Sequence, residues 1–599
     1  MMKKNSYSRY CILAFITILL VIFQTTPCRA KNCSTGNWCW EHPVPQGNSL
    51  RDIWFAGSNA VFVVGEHGTI LHYDGNEWSS MHSPTTNVLS GVWGSSETDV
   101  FAVGEKGAIL HYNGSAWSPM LSGTTEPLNS VWGSSRENVF AVGHNTILHY
   151  DGSSWSALMS DNTAQYTDIW GSSANDIFIL DITKRILHYD GHTWSYMELP
   201  DIGVRSLHAI WGSSANDVYT VGGGGLIYHY DGKEWSMIAP GNTLAMALHS
   251  IWGSSDNNIF AVGYPGIVLH YDGNTWTQAT IDTKEELFGV WGSSEKDVCA
   301  VGDLGSILHF DKVTWTPLSS GTGSVLEGVW GNDNNDIFAV GKKGEILHNN
   351  GGRWTSMVSG TEKSLYDIWG RNGKDIFAVG DEGIILHYNG FDWSAVPPIT
   401  DKHLEAVWGC DSDIFAVGHH GTILHYDGFR WSEMPKLTNE HLEDIWGSGE
   451  DDVFAVGLNG TILHFNGQEW STMTPETDAW LLGIWGSGKD DVIAVGRNTI
   501  LHFDGNRWTP AAGIPGHWFH GVWGTQKNSV YAVGTEGQIY YYNGWKWSKQ
   551  TSGTRRFLKN VWGSSDGDVF AVGTNAILHK KNRSQPIISP WILHLLQGK

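Results

Sequence analysis

Apolar residues in this chain fall in short runs of four or five, separated by polar stretches rich in Gly, Ser, Asp and Asn. The pattern reads as strands and turns, because no segment sustains an apolar repeat every three to four residues. Residues 89–117 show the unit. Leu-x-x-Val-Trp at 89–93 predicts a first strand, A. Val-Phe-Ala-Val at 100–103 predicts strand B, which is apolar on both faces and so requires cover on both. Ile-Leu-His-Tyr at 109–112 predicts strand C, and a fourth strand, D, carries Trp117. Gly-Ser-Ser-x-x-Asp separates A from B. Asp-Gly or Asn-Gly separates C from D, a hairpin signal because that turn needs positive φ.

The unit repeats fourteen times. The strand A Trp recurs at 54, 93, 132, 170, 211, 252, 291, 330, 369, 408, 446, 485, 523 and 562, at intervals of 38 to 41 residues. Gly follows each of them except Trp54. A second Trp lies 23 or 24 residues after each of the first thirteen. Four antiparallel strands per unit of about 40 residues predict an all-β fold of β-propeller blades. Trp93, Trp117, Trp132 and Trp155 are then structural, and removing one should cost about 3–5 kcal/mol.

The fourteenth unit has no strand D Trp at the expected spacing, whereas the segment around Trp38 and Trp40 reads as a strand D with no unit of its own. One terminus is therefore expected to complete the other's blade and remove an open edge. Fourteen blades allow one large ring or two rings of seven. Unbroken spacing across Trp291 and Trp330 favours one. Two rings are favoured by the C–D turn, which departs from Asp-Gly or Asn-Gly only in units seven (309–313) and fourteen (579–582). We expect two: a first ring over 31–311 closed by Trp38 or Trp40, and a second over 312–583 closed by Trp315 crossing over. A tail follows at 584–599.

Composition adds a compartment. Lys3, Lys4 and Arg9 precede an apolar run from 11 to 23, and a small residue, Ala30, ends the polar stretch that follows. This is the pattern of a cleaved signal peptide at 1–30. It predicts a secreted, periplasmic or cell-surface protein with no stable membrane span after cleavage. The net charge of −24 argues against nucleic-acid binding through a basic surface. Of six Cys, Cys33 and Cys39 lie close enough in sequence to pair in an oxidising compartment. A monomer is expected.

The stretch Val-Gly-x-x-Gly-x-Ile-Leu-His-Tyr-Asp-Gly-x-x-Trp, as at 64–78, resembles the BNR-like and WD-like propeller repeats of bacterial secreted proteins. It is also similar to the repeat of photosystem II assembly-factor propellers. The resemblance covers about 36–583 and implies the fold. It implies no activity. The sialidase Asp-box spaces its Asp and Gly differently from the adjacent Asp74 and Gly75, and neither the Arg-Ile-Pro motif nor the Trp-docking motif of quinone-dependent dehydrogenases is present.

Candidate chemistry is sparse. Thirteen units place a His in strand C, among them His111, and unit thirteen has Tyr541. Copies of one position in separate blades cannot converge on one ion, so a hydrogen-bond knot inside each blade is expected. Asp- and Asn-rich A–B turns such as 332–336 have the oxygens for Ca²⁺, but those side chains also close turns without metal. No other cofactor is indicated, and no nucleophile, zincin or phosphate-loop motif occurs.

The informative positions vary where the rest repeats. Three residues before each strand A Trp, the first seven units carry Arg51, Ser90, Asn129, Thr167, His208, His249 and Phe288. The second seven carry Glu327, Tyr366, Glu405, Glu443, Leu482, His520 and Lys559. Strand A is innermost in a propeller, so these residues should ring a channel mouth. Variation there fits a ligand site and also fits an unconstrained rim. Trp480, Trp518 and Phe519 lie near that rim. The reading favoured is a non-catalytic binding or scaffold protein, taking a glycan or a protein at its propeller tops. A hydrolase or lyase at a channel mouth and a structural envelope spacer are the alternatives. Uniform repeats without long insertions favour binding over catalysis.

Overall fold

The computed structural model describes residues 38–581, apart from 43–45, 58, 160–163, 184, 198, 201–205, 239–245, 282, 318–324, 352–353, 411, 476, 512–515 and 565–566. The proposed signal peptide, the Cys33–Cys39 pairing and the tail at 584–599 fall outside what can be described. Among the described residues there are fourteen four-stranded antiparallel sheets and no α-helix. No helix there is long and apolar enough to cross a membrane.

Each sheet is one blade, with strands in the order A-B-C-D. Blades 1 to 7 close on themselves. Strand A of blade 1 (Leu50–Gly57) lies beside strand A of blade 7 (Leu287–Ser294), and Leu50, Ile53 and Phe55 share a core cluster with Cys299 and Val301. Blades 8 to 14 close likewise. Leu326, Val329 and Ile337 of blade 8 pack with Phe570, Val572 and Ile577 of blade 14. The chain therefore forms two seven-bladed propellers.

The closures differ from expectation in two respects. The strand Cys39–His42 pairs with Ala576–Lys580 of blade 14, with Trp40 opposite Leu578. Trp38 and Trp40 thus close the second ring, not the first. Trp315 does not cross over: Trp315–Pro317 pairs with Ile307–Phe310 of its own blade, Trp315 opposite Phe310. The altered turn of unit seven is still a hairpin turn. Lys312 adopts φ +83, the conformation Gly takes in the other blades, and Asp311 accepts the amides of Val313 and Thr314 at 2.9 Å. Its Nζ is held 3.1 Å from Glu295. Blade 7 therefore needs no borrowed strand. Blade 14 has none of its own after Lys580 among the described residues, and takes the N-terminal one.

Two repeated contacts set the packing. Each strand A Trp except Trp291 lies against the Gly that follows the next blade's Trp. A Cβ at Gly94 would stand 2.8 Å from the Trp54 ring, which explains the Trp-Gly pair. Seven strand B aromatics meet the strand D Trp of the next blade edge to face, as Phe101–Trp155 at 6.0 Å and Phe454–Trp508 at 6.2 Å. Trp38 makes this contact with Tyr531 at 5.9 Å and is fully buried, so it serves as the strand D Trp of blade 14.

The rings meet where the chain passes from the second to the first. Asn48 Nδ2 donates to Gly553 O (3.2 Å) and Thr554 Oγ1 to Asn48 Oδ1 (2.9 Å). Arg556 donates to Gly47 O and Ser49 Oγ, and Asn575 Nδ2 to Leu304 O at 2.7 Å. These are D–A and B–C connections, so the contact is made at the ends of the rings that carry the channel mouths.

Candidate functional site

Twelve of the thirteen strand C histidines are tied within their blades; at His72, Ala60 takes the place of the acceptor. His111 Nε2 donates to Asp99 Oδ1 at 2.8 Å, and Ser95 Oγ donates to the other oxygen at 2.5 Å. The ring lies on Phe101, 4.6 Å between centroids. The same arrangement recurs, for example at His188–Asp176 and His464–Asp452, both 2.7 Å. Blades 3 and 6 use Asn138 and Asn258. With no carboxylate there, burial holds His149 and His270 below the usual imidazole range. In blade 13 both partners change, and Tyr541 Oη donates to Ser529 Oγ at 3.5 Å. The acidic turn at 332–336 is closed by its own groups: Asp333 Oδ1 accepts Asn335 N–H at 2.7 Å, and Asp336 takes His348. Among the described residues no three His, Cys, Asp or Glu side chains are placed to hold a metal ion.

The rim residues of the first ring are engaged with one another. Arg51 Nη2 pairs with Glu66 at 2.6 Å and its guanidinium lies 4.3 Å over the Phe288 ring. Asn129 Nδ2 donates to Tyr166 O at 2.7 Å, and His208 Nδ1 to Leu248 O at 2.8 Å, each in the next blade. His249 Nε2 meets Glu286 at 2.7 Å and stacks on His208. One layer deeper, Asp52 accepts the amide of Val92, and Asp168 accepts Ile210 N–H and Ser130 Oγ. Removal from water pushes these carboxyls up to about 7 and about 6 against those hydrogen bonds.

The second ring is different. All seven of its rim residues, Glu327 to Lys559, line one cavity of about 130 Å³, with Asp367 and Asp444 beneath. Glu327 faces Lys342 at 3.5 Å and Lys559 at 3.4 Å. Tyr366 Oη donates to Asp381 at 2.6 Å, and Lys342 lies 5.0 Å over its ring. Burial, with like charge on Glu443 and Glu327, pushes Glu405 up to about 8. Burial also raises Glu443, with Lys559 opposing. Asp367 is pushed up to about 7, and Asp444 well above its usual range, by burial. His520 is pushed down to about 4 by burial and Lys559.

Sequence reasoning missed a cluster beside this cup. His403, His419, His420 and His441 gather on its edge, with His419 and His441 stacked at 4.0 Å. Burial and the three other imidazoles push His419 down to about 4. Its Nε2 is 2.9 Å from Glu405 Oε1. The doublet His419-His420, in a B–C turn that elsewhere carries no such pair, was the available signal. Further round, Trp480 and Trp518 meet edge to face at 5.9 Å, with the Arg497 guanidinium 5.5 and 5.0 Å over their rings. Phe519 is fully buried core.

Comparison with known proteins adds to this picture of the fold. No protein-family model matches the chain, and no curated protein does. Solved structures do match. The chain is a β-propeller repeat protein. One similar structure is PorZ, an essential bacterial surface component of the type-IX secretion system of Porphyromonas gingivalis. It is 11% identical, with a TM-score of 0.61 over 90% of this chain and 86% of that one, a likeness of fold. Another is YCF48 bound to a D1 peptide, 16% identical, covering 48% of this chain and 99% of that one at a TM-score of 0.40.

Proposed function

We propose that the chain is a secreted or cell-surface binding protein without catalytic activity, and that it recognises a protein partner through the cup of its second ring. The observation that carries this reading is the contrast between the rims. In the first ring the rim side chains bond to neighbouring blades, whereas in the second Glu405 and Glu443 line one small cavity above Asp367 and Asp444, which accept backbone amides of the next blade. A cavity of about 130 Å³ suits the tip of one side chain. The carboxyls suit an ammonium or guanidinium group, whose arrival offsets the mutual repulsion that raises their pKa values. Tyr366 offers such a group an aromatic face.

The test is a peptide array and a glycan array probed with the full chain and with the Glu405→Gln/Glu443→Gln double variant. The expected result is binding to Lys- or Arg-bearing peptides that falls at least tenfold in the double variant while circular dichroism is unchanged. Binding unaffected by the double substitution refutes the assignment to the cup. Recognition of a glycan alone refutes the protein partner.

A further inference from the structure

Strand B carries an aromatic residue in twelve of the fourteen blades. That ring fills the seam to the next blade. Phe454 lies 4.4 Å from His464, 5.6 Å from Phe503 and 6.2 Å from Trp508. Phe101 has the same three kinds of partner, at 4.6, 5.5 and 6.0 Å. The two exceptions are Cys299 in blade 7 and Ile493 in blade 12.

The first exception is filled from across the seam. Phe55 stands in blade 1 where every other blade has Gly, is 8% exposed, and packs in one cluster with Cys299. The second is filled only in part: Ile493 is buried and packs with Tyr542 and Trp547, and a groove of about 650 Å³ remains beside it on the seam between blades 12 and 13. Its walls include His502, Tyr542 and Trp547, the three groups that would surround a strand B ring. The missing cover is visible on His502, whose side chain is 43% exposed against 26% for His464 one blade earlier. Trp545, 92% exposed, stands at one edge with Lys546, and Lys527 also lines the groove.

We propose that this groove is a second binding site, taking the phenyl or phenol ring of a Phe or Tyr side chain from an extended partner peptide. The walls already have the composition that holds such a ring in other seams: an imidazole to stack on and a Trp to meet edge on. Trp545 would cover the entering side chain. Lys527 and Lys546 line the mouth, and the carboxylate there, Asp491, is taken up by His502 and Ser487, so acidic residues should flank the aromatic one. The volume is within the range of small-ligand sites. The groove is built from A–B and C–D turns, at the opposite end of the ring from the cup, and so stands independently of it.

The experiment titrates acetyl-Asp-Phe-Asp-amide and acetyl-Asp-Ala-Asp-amide into the full chain, read by calorimetry and ligand-observed NMR. The Phe peptide should bind at least tenfold more tightly. Ile493→Phe, which restores the ring found in twelve other blades, should abolish that preference and raise the melting temperature. Lys527→Glu/Lys546→Glu, which leaves the seam untouched, should shift preference to acetyl-Lys-Phe-Lys-amide. Glu405→Gln/Glu443→Gln should leave peptide binding unchanged. Equal affinity for the Phe and Ala peptides, or Phe-peptide binding that survives in Ile493→Phe, overturns the proposal. So does binding of chitotetraose in place of the peptide, lost in Ile493→Phe.

Discussion

Replacing Glu405 by Gln tests the electrostatics of the cup directly. The folded chain holds this carboxyl at about 8, against 4.5 for an exposed glutamate. Between those values the folded state binds more protons than the unfolded one, so stability falls as pH rises from 4.5 to 8 and is level above. At about 1.4 kcal/mol per pH unit, the full penalty is about 5 kcal/mol. Gln removes the charge and keeps the volume of the side chain. Above pH 8 the variant should therefore be the more stable by up to about 5 kcal/mol. At pH 4.5, where the wild-type carboxyl is itself neutral, the two should differ little. Scanning calorimetry at pH 4.5, 6.5 and 9 reads the difference as a melting-temperature gain of roughly 10 °C at the alkaline end that vanishes at the acid end. A gap between the two proteins that does not change with pH refutes the account. So does a wild-type chain that is the more stable at pH 9.

Other outcomes follow from the repeated contacts. Gly133→Ala puts a Cβ 2.7 Å from the Trp93 ring and should cost about 1–3 kcal/mol in denaturant melts. Asp99→Ala leaves His111 and Ser95 without their acceptor, at about 1–3 kcal/mol, whereas Asp99→Asn should cost much less, because blades 3 and 6 use Asn there. Lys312→Gly should raise stability by a few tenths to about 1 kcal/mol, since Gly adopts φ +83 without strain. Deleting residues 38–42 should lower the melting transition of the second ring and spare the first, which separate calorimetric transitions would reveal.

The blade was legible because its strand periods, Asp-Gly turns and paired Trp residues are local signals that one unit carries in full. Ring membership was not, because it depends on which distant edge a strand meets. The altered turn at Lys312 looked like a broken hairpin, yet a non-Gly residue holds the left-handed conformation there with Glu295 beside it. Trp38 and Trp40 were legible as a strand D but not as belonging to the second ring. The rim residues were found by their variability. What separates the two rims is whether Asn129 or His208 finds a carbonyl in the next blade, and that depends on three-dimensional register.

Departures from the repeat divide by whether a neighbour answers them. Gly becomes Phe55 where Phe becomes Cys299, and the seam stays filled. His becomes Tyr541 where Asp becomes Ser529, and the knot keeps its hydrogen bond. These pairs conserve packing and polar satisfaction, so they need no ligand to explain them. Ile493 has no such answer: a groove remains beside it and His502 is more exposed than His464. The carboxyls around Glu405 have none either, because Lys342 and Lys559 turn to Glu327, and Glu405 is left to keep its proton. In a protein whose stability is a sum over near-identical blades, selection for folding acts alike on every seam. A seam or rim left energetically incomplete therefore points to a requirement that folding does not impose, and the groove beside Ile493 and the cup around Glu405 both lie in the second ring.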